Sequence, residues 1–308
     1  MNLRNTKLIT HRGCMDGSSC AILFLICGGR KENISFCGPN HSEVDEVAKD
    51  AYYNHEGPII FADISISETV AELLCGRNDI LLFDHHKTAI PLAKHSWCEI
   101  DIKNERCGSK IFYDWCLNVF AKNDEHLYYK LNEYDKFIEV IDDIDRWKNL
   151  HKVSKCFSRL NYVLGQNLFI ERFVNNHSIE LTDRELYIVH IELQKEEQYV
   201  EDRKSNLHIR QIISNGKSYA IGFVECWKYQ SELADAICSD LNLNLDAIVM
   251  VGTHSISLRK RNHSCDLDLS VISSLNGGGG HAAAAGTLLR NVLGFDVVEK
   301  VMENMKWN

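Results

Sequence analysis

The chain lacks a long apolar run. Its most hydrophobic stretch, Ala21–Cys27, falls far short of the about 20 residues that a spanning helix needs, so no membrane segment is expected. The opening residues Met1–Lys7 lack the apolar core and small-residue cleavage site of a secretory signal, which makes the cytoplasm the expected location. Positive charge is also short. Lys and Arg number 34 against 43 Asp and Glu, a net charge of −9, which argues against a broad cationic face for long duplex nucleic acid. A small anion delivered to bound metal fits that balance. The twelve cysteines include no Cys-x-x-Cys pair, which removes the usual zinc and redox spacings. Spread over 308 residues, they are too sparse for a disulfide-stapled domain, and reduced thiols are expected. What is present, 45% hydrophobic and 25% charged residues, describes a soluble globular protein of one large domain or two ordinary ones.

The first 90 residues alternate strand-like and helix-like stretches. Apolar runs at 7–10, 34–37, 58–62 and 80–83 are separated by helical patterns from about Ser18, Glu43 and Ser67, giving βαβαβαβ. Such alternation makes a mainly parallel sheet with helices on both faces and a ligand crevice at the strands' carboxyl ends. Residues 108–147 read as two helices ending in an Asp-rich stretch, Asp142-Asp143-Ile144-Asp145. The expected organisation is a catalytic domain over 1–150, a polar helical connector over 151–206 and a second, smaller α/β domain over 207–308. That second domain closes with a helix from Asp266, the run Gly277–Gly280 followed by His281 and four alanines, and a terminal helix.

The polar residues that follow the strands carry the chemistry. His11, Asp63 and Asp84-His85-His86 each come directly after an apolar run, so all would emerge along one edge of the sheet. A pair of divalent ions about 3.5–4 Å apart needs several carboxylates, one of them bridging, and imidazoles to complete the shells. His11, Asp16, Asp63, Asp84, His85 and Asp143 are residues of that kind. Mixed carboxylate and imidazole donors favour manganese, with magnesium or iron as alternatives. Taken singly, each has a structural reading: Asp63 as a helix cap, Asp142, Asp143 and Asp145 as a solvated helix end, Cys14 as a small buried apolar residue. The glycine run is either a tight strand-to-helix entry or, with His281, an anion site of backbone N–H groups at a helix N-terminus.

In combination the motifs resemble the DHH phosphoesterase superfamily: His11 through Gly17 after the first strand, Asp63-Ile64-Ser65, Asp84-His85-His86 and the glycine–histidine run, in that order. The resemblance covers roughly 1–147 as the catalytic domain and 207–290 as the DHH-associated C-terminal domain. It implies a manganese-dependent enzyme with two ions, or magnesium in their place. By that resemblance His11 binds the first ion, Asp16, His85 and Asp143 bind the second, and Asp63 bridges them. His86 faces the substrate phosphate and Asp84 orients a neighbouring imidazole. Gly278, Gly279, Gly280 and His281 hold a phosphate or terminal nucleotide, and Arg259 supplies a bidentate phosphate contact. The first motif departs from the commonest form, with Cys14 where most members carry Asp and Gly13 where a related subgroup does. A Cys14 thiolate or a water could fill that place, or one ion could bind loosely; His-x-x-Cys-x-Asp-Gly reads as a subfamily trait.

The function implied is hydrolysis of phosphodiester bonds in short oligonucleotides or small nucleotides by metal-activated hydroxide, with His86, Asp63 and Arg259 at the reacting phosphate. Alternatives are a cyclic or linear dinucleotide phosphodiesterase, a polyphosphate hydrolase, or a nucleotide-binding sensor that has lost catalysis. The partner expected is a short oligonucleotide or dinucleotide, with no long duplex and no membrane; a homodimer is compatible with the sequence.

Overall fold

The computed structural model describes residues 2–288 apart from 39, 40, 104, 149, 215, 263 and 275–277. Gly277 and the expected terminal helix lie outside the described residues. The chain divides into two compact units, Met1–Glu192 and Leu193–Asn308.

The first unit opens with β1 (Lys7–His11), α1 (Met15–Ile26), β2 (Ile34–Cys37), α2 (His41–Asn54), β3 (Ile59–Ala62), α3 (Glu68–Leu74), β4 (Ile80–Asp84) and β5 (Cys98–Ile100). The strands form one sheet in the order β2-β1-β3-β4-β5, and every pairing is parallel. All four residues of β3 are buried, as a central strand covered on both faces requires. Connections leave β1 towards β2 on one side and run from β3 to β4 and β5 on the other. The order thus reverses beside β1 and β3, where parallel sheets open a crevice at the strand ends. His11 ends β1, Asp63 follows β3 and Asp84 ends β4, so these residues stand on three adjacent strands.

Four helices follow before the second unit takes over: α4 (Gly108–Trp115), α5 (Glu125–Asn132), α6 (Asp135–Asp145) and α7 (Ser154–Asn175). Helix α1 is apolar nearly all round, and it is buried accordingly beside α4, α6 and α7. The two helices read over 108–147 are three, with a π-helical turn at Cys116–Phe120 after α4. Residues 154–175, expected in the connector, pack into the first unit. Phe157, Phe169 and Phe173 of α7 are fully buried, and the Phe137 ring of α6 lies 4.5 Å from that of Phe173.

Helix α8 (Asp183–Ser205) spans the division at residue 192. The second unit continues with β6 (His208–Ser214), β7 (Lys217–Glu225), α9 (Gln230–Cys238), β8 (Ala247–Val251), β9 (Ser255–Lys260), α10 (Leu269–Ser274), β10 (Gly279–Gly280) and β11 (Ala284–Leu288). Its sheet runs β10-β11-β9-β8-β7-β6, and among the described strands only β7 and β8 pair in parallel, joined through α9. One apolar cluster gathers Val224, Leu233, Ile237, Ile248 and Met250; another gathers Tyr219, Ile221, Leu258 and Leu269. The helix expected from Asp266 begins at Leu269. The alanine run overturns an expectation: Ala284–Leu288 is a strand paired antiparallel with β9, so the glycines lead into a hairpin and not into a helix N-terminus.

Candidate metal centre

The site is assembled around Asp63. This residue is 1% exposed and adopts a left-handed backbone conformation, φ 58°, that a non-glycine residue rarely takes. Two contacts hold it there. Its N–H donates to the Phe83 carbonyl at 2.9 Å, and Gly108 packs so tightly that a β-carbon on that glycine would lie 2.6 Å from the Asp63 Cβ. The two carboxylate oxygens then face different partners. Oδ2 lies 3.5 Å from His11 Nδ1 and accepts a hydrogen bond from Cys14 Sγ at 3.1 Å. Oδ1 lies 3.6 Å from His85 Nε2 and 3.9 Å from His86 Nδ1.

A second convergence surrounds His85. Its Nε2 is 3.4 Å from Asp145 Oδ2, 3.6 Å from Asp63 Oδ1 and 3.8 Å from Asp16 Oδ2, three carboxylates from three different elements. Asp16 is fixed from behind by the first turn of α4, with Gly108 N donating to Oδ2 at 2.7 Å and Ser109 N to Oδ1 at 2.8 Å. Asp84 works through the backbone: its Oδ1 accepts from His85 N at 2.8 Å and His86 N at 3.2 Å, and binds His86 Nδ1 at 2.7 Å. This leaves the other ring nitrogen of the half-exposed His86 directed away from Asp84.

Among the described residues, three groups of side chains are close enough to hold an ion: His11, Cys14 and Asp63; Asp63, Asp84, His85 and His86; Asp16, His85 and Asp145. The spacing fits cations. Most of the imidazole–carboxylate separations exceed a hydrogen bond and approach the about 3.0–3.4 Å between donors that share an ion at about 2.1 Å. Charge argues the same way, because buried carboxylates at such density are costly without compensation. Burial, then Asp63 and Asp145, push the Asp16 carboxyl well up; burial and Asp63 raise Asp145 to about 6. Burial would raise Asp63 too, but His11, His85 and His86 hold it well below the usual carboxylate range. Burial works against a charge on His86, yet Asp84 and Asp63 lift it to about 9. Burial, then Asp63 and Asp16, push the Cys14 thiol well up.

Asp143 does not reach the cluster, which corrects its assignment as a ligand. Its carboxylate accepts from Leu150 N at 2.7 Å, His151 N at 3.2 Å and the Ser154 hydroxyl, closing the turn after α6. Asp145 is the residue that arrives at His85. Asp142, three residues earlier on the same helical face, accepts from Cys107 N at 2.7 Å and so braces the start of α4. The sequence pattern marks the right run but does not fix its helical phase. It also gives no warning of Gly108 and Ser109, whose only signal is a small-residue start to a helix.

The remaining candidates belong to the second unit. Arg259 pairs with Ala284 across β9 and β11, and its Nη1 donates to Ser257 Oγ and the Leu258 carbonyl, each at 2.9 Å. His281 N donates to Ala284 O at 2.7 Å, which closes the hairpin and leaves the His281 side chain exposed. Gly278 has no room for a side chain, since a β-carbon there would meet the Gly286 carbonyl at 2.1 Å. Gln230, Ser255, Ile256, Ser257, Gly278 and Thr287 line a shallow pocket in this unit, and Gly279 and Gly280 form β10.

No model of a known protein family matches the chain. Among curated proteins it is 26% identical over 295 residues to the oligoribonuclease NrnB of Bacillus subtilis (strain 168), covering 88% of this chain and 70% of that protein. Among solved structures, exonuclease RecJ bound to manganese superimposes with a TM-score of 0.54 at 11% identity, over 99% of this chain and 92% of that one. RecJ of Thermus thermophilus in complex with Mn2+ gives 0.53 at 13% identity, over 99% of this chain and 53% of that one. At such identities the structures speak to the fold alone. That fold, the Asp84-His85-His86 strand end and the NrnB relative all indicate the DHH phosphoesterase superfamily.

Proposed function

We propose that the protein is a metal-dependent phosphodiesterase that hydrolyses short oligoribonucleotides from an end. The observation that carries this reading is the division of labour at Asp63, whose two oxygens face separate donor groups and so suit a carboxylate shared by two ions. The RecJ structures hold manganese in the same fold, and manganese is our choice for the second, oxygen-rich position, with magnesium as its alternative. When bound, the ions supply an activated water and offset charge on the phosphoryl oxygens.

The chain's own residues do the rest. Asp63, fixed by Phe83 and Gly108, sets the spacing of the two positions; Asp16, His85 and Asp145 complete the second. His86, oriented by Asp84, faces a phosphoryl oxygen as charge develops there. In the second unit the hairpin bearing His281, the glycines Gly278, Gly279 and Gly280 beside it, and Arg259 across the β9–β11 pairing supply the phosphate contacts. The activity of NrnB on oligoribonucleotides, given by its name, and the acidic balance of this chain favour short RNA over a long duplex. The twelve cysteines are all free, which supports a cytoplasmic location.

The test is release of mononucleotide from 5′-labelled di- to decanucleotides, alongside cyclic dinucleotides and polyphosphate, with manganese and with a chelator. The reading expects chelator-sensitive cleavage strongest on the short oligoribonucleotides. Binding without product under manganese, magnesium or cobalt would replace it with a nucleotide sensor.

A further inference from the structure

The two donor groups that share Asp63 differ in kind. On the Oδ2 side stand a nitrogen, a sulfur and an oxygen: His11, Cys14 and Asp63. On the other stand one imidazole and three carboxylates: His85, Asp16, Asp145 and Asp63 Oδ1. We propose that Cys14 is a sulfur ligand at the first position, so that the centre holds unlike ions, a thiophilic transition ion such as iron(II), zinc or cobalt at the first and manganese or magnesium at the second. This rests on the two-ion reading above and refines it.

The local structure places the sulfur for that role. Gly13, with φ 78°, turns the chain after β1 so that Cys14 arrives as the N-cap of α1. There its Sγ accepts the Gly17 N–H at 3.1 Å while pointing at Asp63 Oδ2. The Gly17 N–H thus orients the sulfur towards Asp63 Oδ2, and a metal binds such a sulfur as thiolate. As the sulfur–metal bond forms, the thiol proton leaves to solvent and the electron pair of the S–H bond remains on sulfur. Gly17 completes the fit: a β-carbon there would meet the His11 carbonyl at 2.3 Å, so the loop that carries Cys14 closes directly over the end of β1. Thiolate donors select zinc, iron and cobalt, whereas carboxylates suit manganese and magnesium, so one shared aspartate joins two positions of opposite preference.

The experiment is a cobalt(II) titration of the full chain after chelator treatment, followed by absorption. Visible ligand-field bands report bound cobalt whatever its donors, and a near-ultraviolet sulfur-to-cobalt charge-transfer band reports the thiolate. The wild type is expected to show both, and added manganese is expected to displace part of the cobalt while the charge-transfer band persists. Cys14→Ser is expected to lose that band and keep the visible bands of the second position. Cys14→Asp, which restores a carboxylate should the serine variant fail to fold, is expected to lose it too and to shift the cobalt-over-manganese preference by about tenfold or more. Cobalt bound by the wild type without a charge-transfer band, or a band that survives in both variants, would overturn the proposal while leaving the two-ion centre standing. No bound cobalt or manganese at all would overturn the centre itself.

Discussion

The two units present their polar candidate residues in opposite ways. In the first, Asp16, Asp63, Asp84 and His85 are almost fully enclosed, and each is braced by a backbone amide, a packed glycine or another ring. In the second, Gly279, Gly280 and His281 lie exposed on a hairpin at the sheet edge. Buried charge must be preorganised, because each unpaired carboxylate costs stability, and that cost is offset only when cations arrive. Exposed donors cost little and can adjust to a substrate. The first unit should therefore govern the chemical step and the second should govern affinity.

Substitutions can break that comparison. The largest effect is expected from Asp63→Ala, which removes the shared carboxylate: kcat should fall by at least about 10³-fold with circular dichroism unchanged, measured on a short oligoribonucleotide. Next comes a paired test on α6. Asp145→Asn should lower metal affinity and kcat by about 10²-fold, whereas Asp143→Asn should keep both and cost about 1–3 kcal/mol in denaturant unfolding, since an N–H2 group replaces one of the two oxygens that accept from Leu150, His151 and Ser154. Gly108→Ala should shift Asp63 and lower kcat by about 10-fold to 10²-fold, with melting temperature reporting the accompanying strain. The smallest effect belongs to the hairpin: His281→Ala should raise KM by about tenfold with kcat and metal content retained. A loss of bound metal in that last variant would contradict the assignment of roles to the two units.

Much of the first unit was legible because a parallel sheet writes itself plainly: short apolar runs ending in a polar residue, at regular spacing. His11, Asp63 and Asp84-His85-His86 could be placed on one edge by that pattern alone. The α6 ligand could not, because Asp143 lies on a different helix face from Asp142 and Asp145 and only packing decides which of the three reaches His85. The alanines after His281 suit a helix by intrinsic preference, yet pairing with β9 makes them a strand, so long-range contact overrode local tendency. Helix α7 was hidden by its polar surface; its buried phenylalanines are spaced so that only the partner, Phe137, reveals them as core.

The central claim is that Asp63 sits between two ion positions at the ends of β1, β3 and β4. Crystals soaked in manganese and measured at its absorption edge test this directly. The account predicts two anomalous peaks flanking the Asp63 carboxylate, one toward His11 and one toward His85, with the His85 peak the stronger. Peaks elsewhere, or none beside Asp63 in crystals whose protein remains folded, would contradict it.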